Sequence, residues 1–212
     1  MPPSPTPPAT PAARHTTVVA VHRDGTHQFS KPTAEHITLL QGLGVEGDAH
    51  CGRTVQHRSR VKVNPHQPNL RQVHLMSASL FGHLAGMGYT VAPGQLGENI
   101  TLAGARGLEW DELIALPVGT RVVFGPPVPD TLGAADTAPQ AVLELTGLRN
   151  PCVQIEQFQP GLLAAMLGHD PQGALVRKAG VMAVVLAGGV VVPGSRVTFE
   201  LPPLPHRPME RV

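Results

Sequence analysis

Cys152 is the residue of this sequence whose surroundings point most directly to chemistry. It follows Pro151 within the stretch LTGLRNPCVQIE, and Arg149 lies three residues before it. Proline fixes the backbone just ahead of the thiol, and the guanidinium brings a positive charge near it. A thiolate can attack an electrophile, carry sulfur as a persulfide or bind a soft metal. A small buried apolar side chain would fit the local sequence equally well, so both interpretations remain open at this point.

The stretch from Gly44 to Leu75 is basic and rich in histidine, although the chain as a whole is nearly neutral. Guanidinium groups bind phosphate through two parallel hydrogen bonds, so this composition favours an anion site. A solvated basic loop is the alternative, because charged stretches are common on protein surfaces. A zinc site is disfavoured, since the histidine spacings match neither an HxxxH nor a paired-cysteine pattern. The charged and histidine side chains of the stretch are Arg53, Arg58, Arg60, Lys62, Arg71, His50, His57, His66 and His74, against Glu46 and Asp48.

Two further stretches contribute polar groups next to apolar segments. PGQLGENI supplies Asn99 and glycines that would permit close approach of a ligand, although an ordinary β-turn explains the glycines equally well. Arg177 and Lys178 directly precede an apolar segment, where they could clamp an anion or remain surface charges. A Schiff base at Lys178 has no other support. The sequence contains neither a GxSxG motif nor a P-loop, so hydrolase and nucleoside triphosphatase functions lack their residues.

Composition limits the classes of protein to which the chain can belong. With 212 residues, 42% of them hydrophobic, it is long enough for one sizeable core. The net charge of +1 argues against nucleic-acid or membrane partners, and no apolar run approaches the roughly 20 residues of a membrane span. No signal peptide is evident at the start, so we expect a cytoplasmic protein with reduced thiols. A disulfide between Cys51 and Cys152 has no support.

Short apolar segments bounded by glycine and proline predict a mainly β fold with a few short helices. One helix would be capped by Ser77 and would end near Gly88, and a second would begin at Pro160 and stop at Gly168. The predicted strands span residues 16–23, 71–76, 98–104, 121–125, 141–147, 181–189 and 195–201.

Two of these segments repeat one pattern. PVGTRVVF at 117–124 and VPGSRVTF at 192–199 each join a proline–glycine turn to an apolar run. Repeats of this kind without βαβ spacing favour an antiparallel or mixed β-barrel, which we expect to occupy residues 16–201. Proline-rich polar chain buries too little apolar area to order itself, so the residues before about His15 and after about Pro205 should be dispensable for stability. The segments expected outside the packed domain, as two unpacked tails and a surface loop, are 1–15, 202–212 and 126–139.

Five segments follow one another along the chain as GVEGDAH, RQVHLM, PGQLGENITL, LTGLRNPC and RKAGVMAVVLAGGVVVPGSRV. This series resembles the MOSC domain (molybdenum cofactor sulfurase C-terminal domain), and in particular the short, stand-alone bacterial members of the YiiM type. The resemblance covers about residues 16–201. It implies a mainly β, barrel-like fold with a single essential cysteine, which corresponds to Cys152.

The resemblance also implies a ligand, the molybdenum cofactor of the molybdopterin type. In reductase-like members the matching cysteine binds molybdenum and N-hydroxylated compounds are reduced, whereas in sulfurase-like members it carries a persulfide for the cofactor. Both roles need a soft sulfur donor, so serine could not replace Cys152. Arg53, Arg71, Arg177 and Lys178 would hold the cofactor phosphate. The remaining residues implied to bind the cofactor are Asp48, His50, Asn99, Arg149 and Asn150.

Three functions remain open at this stage. They are a cofactor-dependent reductase of N-hydroxylated bases or amines, a sulfur carrier for molybdoenzymes, and a cofactor-binding module without turnover. The nearly complete short pattern favours the reductase, which would need a redox partner, whereas a sulfur carrier would need a cysteine desulfurase. Because strand ends meet at the rim of a barrel, we also expect Arg71, Arg177 and Lys178 to converge with Cys152 on one anion-binding cleft.

Overall fold

Strands make up most of the regular structure in a computed structural model, which describes residues 14–104, 108–127 and 140–212 without the side chains of residues 58 and 59. The helices are α1 (Arg58–Val61), α2 (Ser79–Gly86), α3 (Trp110–Ile114), α4 (Val153–Phe158) and α5 (Leu162–Ala165). The strands are β1 (Arg14–His22), β2 (Thr33–Ala34), β3 (Ile37–Leu40), β4 (Gly44–Val45), β5 (Val73–Ser77), β6 (Ile100–Leu102), β7 (Arg121–Pro127), β8 (Ala141–Leu148), β9 (Leu167–His169), β10 (Leu175–Arg177), β11 (Val181–Ala187), β12 (Gly189–Val191) and β13 (Ser195–Glu200).

Seven of these strands close into a barrel. Their order around it is β13-β7-β8-β11-β5-β6-β1, and β1 then pairs with β13 to complete the ring. The pair formed by β5 and β6 is parallel, and the other neighbours in the ring run antiparallel. The expectation of a mainly β fold with a mixed barrel is therefore confirmed.

The two repeated turn-and-strand segments are neighbours in this barrel. They form β7 and β13, which pair antiparallel with Val122 opposite Phe199 and Phe124 opposite Val197. All four side chains are buried in the main core. The glycine of each preceding turn has a positive φ, 87° in one and 86° in the other, a conformation that glycine adopts without a steric penalty. The sequence repeat therefore supplies two adjacent strands of the barrel.

Two apolar clusters divide the interior. The first fills the barrel with alternate residues of its strands, as along β8, where burial alternates from residue to residue. The second lies against the other face of β5, so that Leu75 belongs to the first cluster and Met76 to the second. It packs under α2, α4 and α5, through Leu80, Leu84, Ile155, Leu162 and Ala165. This second cluster fixes the position of α4, the helix that directly follows Cys152.

The helices differ in detail from the sequence-based expectation. The N-cap of α2 is Ala78 rather than Ser77, so the helix begins later than predicted. The chain after Pro160 forms only the four-residue α5 before it enters β9, and Gly168 therefore lies in a strand instead of ending a helix. None of the helices in the described ranges has the length and apolar character needed to cross a membrane.

The letters G-x-G-x-x-G occur from Gly42 to Gly47 but do not form a dinucleotide-binding loop. Gly44 begins β4, which pairs with β3 in a hairpin. A dinucleotide fingerprint opens a helix, whereas the next helix here is α1, which begins at Arg58. Packing explains the glycine instead, because a Cβ on Gly44 would lie 2.8 Å from the Gln72 carbonyl oxygen.

The carboxyl-terminal segment packs on the barrel, which corrects the expectation of an unpacked tail over residues 202–212. Met209 is buried in the main core. The Leu148 amide donates a hydrogen bond to the Glu210 carbonyl (2.7 Å), and the Val212 amide donates one to the Leu148 carbonyl (3.3 Å). The segment is therefore tied to the end of β8, from which the chain leads to Cys152.

The amino-terminal boundary also differs from the expected one. Arg14 and His15 belong to β1, so the barrel begins before residue 16. The rest of the expected amino-terminal tail, residues 1–13, lies outside the described residues. The expected surface loop begins within β7, which ends at Pro127, and its remaining residues 128–139 lie outside the described ones too. Both expectations stay predictions for those residues.

We expect removal of residues 207–212 to destabilise the protein. Burial of a methionine side chain contributes about 1.5–3 kcal/mol, and each kcal/mol corresponds to about 2–4 °C in a domain of this size, so Tm should fall by roughly 5 °C or more. Calorimetry on the full chain, the truncated chain and Met209→Ala would measure the effect. The single substitution should reproduce a large part of it, and an unchanged Tm in the truncated chain would contradict the role given to this segment.

Candidate functional site: a cationic cavity beside Cys152

An open cavity of about 320 Å³ lies beside Cys152. Its wall is formed by the segment after β1, the basic stretch after β4, and residues in or next to β5, β6, β8 and β11. The lining residues are His27, Gln28, Phe29, Lys31, His50, His57, Arg60, Arg71, His74, Gly97, Asn99, Arg149, Asn150, Cys152, Gln154 and Met182.

Cys152 is positioned by the end of β8 and the start of α4. After β8, the Arg149 amide donates a hydrogen bond to the Gly180 carbonyl (3.1 Å), which keeps the chain against β11. Cys152 is then the N-cap of α4, with an extended backbone, and its carbonyl accepts a hydrogen bond from the Ile155 amide (3.0 Å). The residue is half-buried and lines the cavity, so its thiol is accessible to a ligand bound there.

Cys51 occupies a different environment. It does not line this cavity, and both cysteines are free thiols. Burial, reinforced by the charges of Asp48 and Glu46, raises the pKa of the Cys51 thiol. A raised pKa disfavours the thiolate, which is the form needed for nucleophilic or metal chemistry. The geometry thus brings Cys152 and not Cys51 to the cavity.

The Arg149 side chain is buried in the cavity wall next to Cys152. The residue is only 8% exposed, and its Nη1 atom has no hydrogen-bond partner among the described residues. Burial lowers the pKa of the Arg149 guanidinium, although its interactions with Cys152 and Glu98 offset part of this effect. A buried donor without a partner costs about 1–3 kcal/mol, and more when it is charged. An anion bound in the cavity would supply the missing partner.

Two more guanidinium groups, those of Arg60 and Arg71, face the same cavity. Burial, together with the positive charges of Arg149 and Arg60, lowers the pKa of Arg71 to about 10. Within the described part of the chain, none of these three arginines forms an ion pair, and no carboxylate belongs to the cavity lining. The cavity is therefore suited to an anion and not to a metal cation on its own.

Two of the lining histidines are held in the neutral form. Burial and the charge of Arg71 lower the pKa of His57 to about 4. Burial and the charge of Arg149 lower the pKa of His74 well below its usual value, and the His74 Nε2 donates a hydrogen bond to the Ala179 carbonyl (2.7 Å). At neutral pH these rings therefore contribute hydrogen-bonding groups and no charge.

A buried ion pair between Lys31 and Asp48 supports one side of the cavity. The Lys31 Nζ lies 2.6 Å from the Asp48 Oδ2, and the two side chains are 5% and 1% exposed. Asn99 donates to the same oxygen through its Nδ2 (2.9 Å). His50 donates to Asp48 Oδ1 through its amide (2.9 Å), and its ring Nδ1 lies 3.2 Å from that oxygen. Burial alone would raise the pKa of Asp48, but the His50 hydrogen bonds and the Lys31 charge hold it well below its usual value.

We expect Asp48→Asn to lower the free energy of unfolding by about 3–5 kcal/mol at neutral pH, because Lys31 then keeps a buried charge without its partner. The folded-state pKa of Asp48 lies below the unfolded value of 3.8, so its stabilisation is complete above that pH and is lost as the pH falls towards the folded-state pKa. Urea unfolding at neutral pH and near pH 3 would measure both effects. The exposed Glu35→Gln is a matched control. Equal stability of Asp48→Asn and the wild type at neutral pH would contradict the role given to the pair.

The structure gathers most of the residues expected from the sequence at this cavity. Asp48 lies directly behind the lining, where it bonds to His50 and Asn99. Arg53 is exposed and does not belong to the lining. The expected residues that line the cavity are His50, Arg71, Asn99, Arg149, Asn150 and Cys152.

The expected convergence of Arg71, Arg177 and Lys178 on this cavity holds only for Arg71. Arg177 reaches it indirectly, because its Nε donates to the Asn150 Oδ1 (3.1 Å) from behind the lining. Lys178 points elsewhere: its Nζ donates to a carbonyl of α5 (3.1 Å) and lies 5.6 Å from the centre of the Trp110 ring. The hairpin of β9 and β10 explains this placement, since it carries the chain along α5 before β11 begins.

Sequence reasoning missed the segment between β1 and β2. This segment places His27, Gln28, Phe29 and Lys31 in the lining. It reads HQFSK and has neither an apolar period nor a motif. Its role depends on burial of Lys31 against Asp48, which is a tertiary contact and leaves no local signal.

Comparison with known proteins assigns the fold. A family model described as the MOSC domain matches residues 62–198. The chain is similar to the crystal structure of the YuaD protein from Bacillus subtilis, with a TM-score of 0.67 and 22% identity over 90% of this chain and 98% of that one. It is also similar to YiiM from Geobacillus stearothermophilus (TM-score 0.52, 18% identity, 87% and 73% covered) and from Escherichia coli (TM-score 0.52, 16% identity, 88% and 71% covered). No curated protein sequence matches the chain.

Proposed function

Because this chain belongs to the MOSC domain family, we propose that it binds a molybdenum cofactor beside Cys152 and uses it to reduce N-hydroxylated compounds. Family membership supports a fold associated with that cofactor, and the cavity is the place in this chain that suits it. The observation that carries the proposal is the buried Arg149 guanidinium, whose Nη1 has no hydrogen-bond partner in the described part of the chain, next to a half-buried thiol.

The residues present fit such a group in two respects. The Nη1 of Arg149 and the guanidinium of Arg71 are donors for a phosphate, which guanidinium groups bind with charge-assisted hydrogen bonds. The Cys152 thiolate is a soft ligand suited to a metal such as molybdenum. The cavity of about 320 Å³ lies at the lower end of the range for ligand pockets and opens to solvent, so a cofactor would extend beyond it.

Each residue then has a definite task. Arg149 and Arg71 would hold the phosphate, and Cys152 would bind the metal. Asn99 and Asn150 line the same cavity with amide groups that can donate to and accept from a pterin ring. The bound cofactor would supply two-electron oxidation–reduction chemistry at its metal.

The fold also prepares the thiol for this role. Pro151 restricts the backbone ahead of Cys152, while the Arg149 amide is anchored on the Gly180 carbonyl. Within α4, the helix that follows, Ile155 is fully buried in the second apolar cluster. A ligand atom held in this way needs little rearrangement on binding, which lowers the entropic cost of forming the complex.

The experiment that tests the proposal uses protein produced in cells that make the cofactor. We expect molybdenum and pterin to co-purify in equal amounts, close to one per chain, and the reduced protein to convert an N-hydroxylated base or amidoxime to the amine. Elemental analysis gives the metal content, and chromatography of the product with a reduced viologen dye as electron donor gives the turnover.

Other outcomes would assign a different function. If mass spectrometry shows one additional sulfur atom on Cys152 and no metal is bound, the protein is a sulfur carrier that works with a cysteine desulfurase. It is then not a reductase. Bound cofactor without turnover would leave a binding module. Protein that binds neither cofactor nor sulfur would contradict the proposal as a whole.

A further inference from the structure

We propose that His50 is a proton-donating catalytic residue of this cavity and that Asp48 is the residue that positions it. The inference rests on the proposed reductase function and adds to it the group that protonates the substrate. It starts from the geometry of the Asp48 carboxylate, whose two oxygens are held by different partners.

The Oδ2 of the Asp48 carboxylate is held in place by residues other than His50. Its Oδ2 accepts hydrogen bonds from the Lys31 Nζ (2.6 Å) and the Asn99 Nδ2 (2.9 Å). The Asp24 amide lies 3.4 Å from the same oxygen. Because the side chain of Asp48 is 1% exposed, water does not compete for these bonds. Its Oδ1 is therefore presented to His50 in a fixed direction.

His50 meets this oxygen with both its backbone and its ring. The amide donates at 2.9 Å, and the ring Nδ1 lies at 3.2 Å. An ionised carboxylate can only accept, so the Nδ1 carries a hydrogen. The His50 carbonyl accepts a bond from the Asn69 Nδ2 (2.9 Å), which fixes the backbone as well. The Nε2 is then the ring nitrogen available for a substrate, on a side chain that is 27% exposed and lines the same cavity as Cys152.

This arrangement is the one that enzymes use to orient an imidazole for proton transfer. A carboxylate bonded to one ring nitrogen sets the tautomer and leaves the other nitrogen to exchange a proton with the substrate. Two other histidine rings of the cavity lining are less suited to donate a proton. Burial and nearby positive charges lower the pKa of His57 to about 4 and that of His74 well below its usual value, and the His74 Nε2 is already bonded to the Ala179 carbonyl.

The reduction of an N-hydroxylated compound requires such a donor. The overall change is R–NH–OH + 2 e⁻ + 2 H⁺ → R–NH₂ + H₂O, with both electrons supplied by the reduced cofactor. As the N–O bond breaks, hydroxide is a poor leaving group unless its oxygen receives a proton. The His50 Nε2–H would give that proton, so that the oxygen leaves as water, and solvent would supply the proton that completes the amine. Solvent would then reprotonate His50.

The test compares His50→Ala with the wild type and with His66→Gln, an exposed histidine of the same stretch outside the cavity lining. All three are loaded with cofactor, and molybdenum content is measured first. We expect His50→Ala to retain most of its molybdenum and to lose kcat by about 100-fold or more, in the range typical of general acid catalysis, with a small change in KM. Free imidazole should restore part of the kcat of His50→Ala and should not affect the other two proteins.

A second measurement does not depend on turnover or on the cofactor. Nitrogen NMR of the histidine rings in the cofactor-free wild type should show His50, when neutral, with its hydrogen on Nδ1 and a bare Nε2. His66 in the same spectrum serves as the solvent-exposed reference. A neutral His50 with its hydrogen on Nε2 would overturn the inference.

The outcomes distinguish failure of the proposed function from failure of the role given to His50. A loaded wild type without turnover would contradict the proposed function, and this inference with it. An active wild type with an equally active His50→Ala would overturn the role of His50 while leaving the reductase function intact. Loss of activity in His50→Ala that follows loss of molybdenum, without rescue by imidazole, would also overturn it in favour of a purely cofactor-binding role.

Discussion

Replacement of Cys152 by serine is expected to reduce molybdenum loading by more than about 100-fold, because even mutations of groups behind a metal ligand lower affinity by about 10–100-fold. The serine hydroxyl is a hard donor that stays protonated at neutral pH, so it cannot replace a thiolate on a soft metal. The half-buried position of Cys152 leaves room for the exchange of sulfur for oxygen, so we expect Tm to change little. Elemental analysis and calorimetry of the purified variant would measure both quantities.

Cys51→Ser is the matched control for this experiment. Cys51 lies outside the cavity lining, and burial raises the pKa of its thiol, so its loss should leave loading and reductive turnover unchanged. Molybdenum retained by the Cys152 variant, or lost by the Cys51 variant, would show that the wrong cysteine has been assigned to the metal.

Arg149→Met is expected to weaken cofactor binding by about 100-fold, since it removes charge-assisted hydrogen bonds worth about 1.5–3 kcal/mol each. The same substitution should not destabilise the cofactor-free protein. The Nη1 of the buried guanidinium has no hydrogen-bond partner among the described residues, and an apolar side chain of similar length would remove the cost of that buried donor, about 1–3 kcal/mol. We therefore expect Tm of the cofactor-free variant to equal or exceed that of the wild type.

These opposite effects on binding and stability distinguish a ligand-binding arginine from a structural one. Exposed Arg196→Met provides the control and should change neither quantity. Inorganic phosphate offers a simple probe, because it should raise Tm of the cofactor-free wild type more than that of Arg149→Met. A large loss of stability in Arg149→Met, with equal phosphate stabilisation, would mean that the guanidinium serves the fold.

The barrel and its cysteine could be predicted from the sequence because both depend on local pattern. Alternating burial along β8 and turn glycines ahead of β7 and β13 follow from strand periodicity and backbone sterics. Pro151 and the preceding strand mark Cys152 as a strand-end residue next to Arg149, but a buried structural thiol fits this local pattern equally well, and the family resemblance was needed to single it out. Each of these signals spans only a few residues.

The cationic wall could be predicted only in part, because charges become neighbours through tertiary contacts. Arg71 and Lys178 each lie at the edge of an apolar segment, and nothing local decides to which side of the chain such a side chain turns. The β9–β10 hairpin carries Lys178 to α5, whereas the pairing of β5 and β11 leaves Arg71 at the cavity. The burial of Lys31 likewise depends on Asp48, which belongs to a different segment.

The carboxyl-terminal segment was misjudged for a related reason. Its composition is rich in proline and charge, which is typical of unpacked chain. It is nevertheless docked, because the Met209 side chain is buried in the main core and the end of β8 offers backbone groups of Leu148 for hydrogen bonds. Average composition does not report on such a single anchoring residue.

Closure of the ring between β1 and β13 imposes an order on folding during synthesis. Arg14 lies opposite Phe199 and Thr17 opposite Arg196, so the first strand of the ring to be synthesised pairs with the last. Contacts between such distant segments carry a high loop-closure entropy and are typical of slowly folding chains. Until β13 is made, one edge of β1 remains open to non-native pairing. We therefore expect nascent chains that stop before β13 to depend on chaperones.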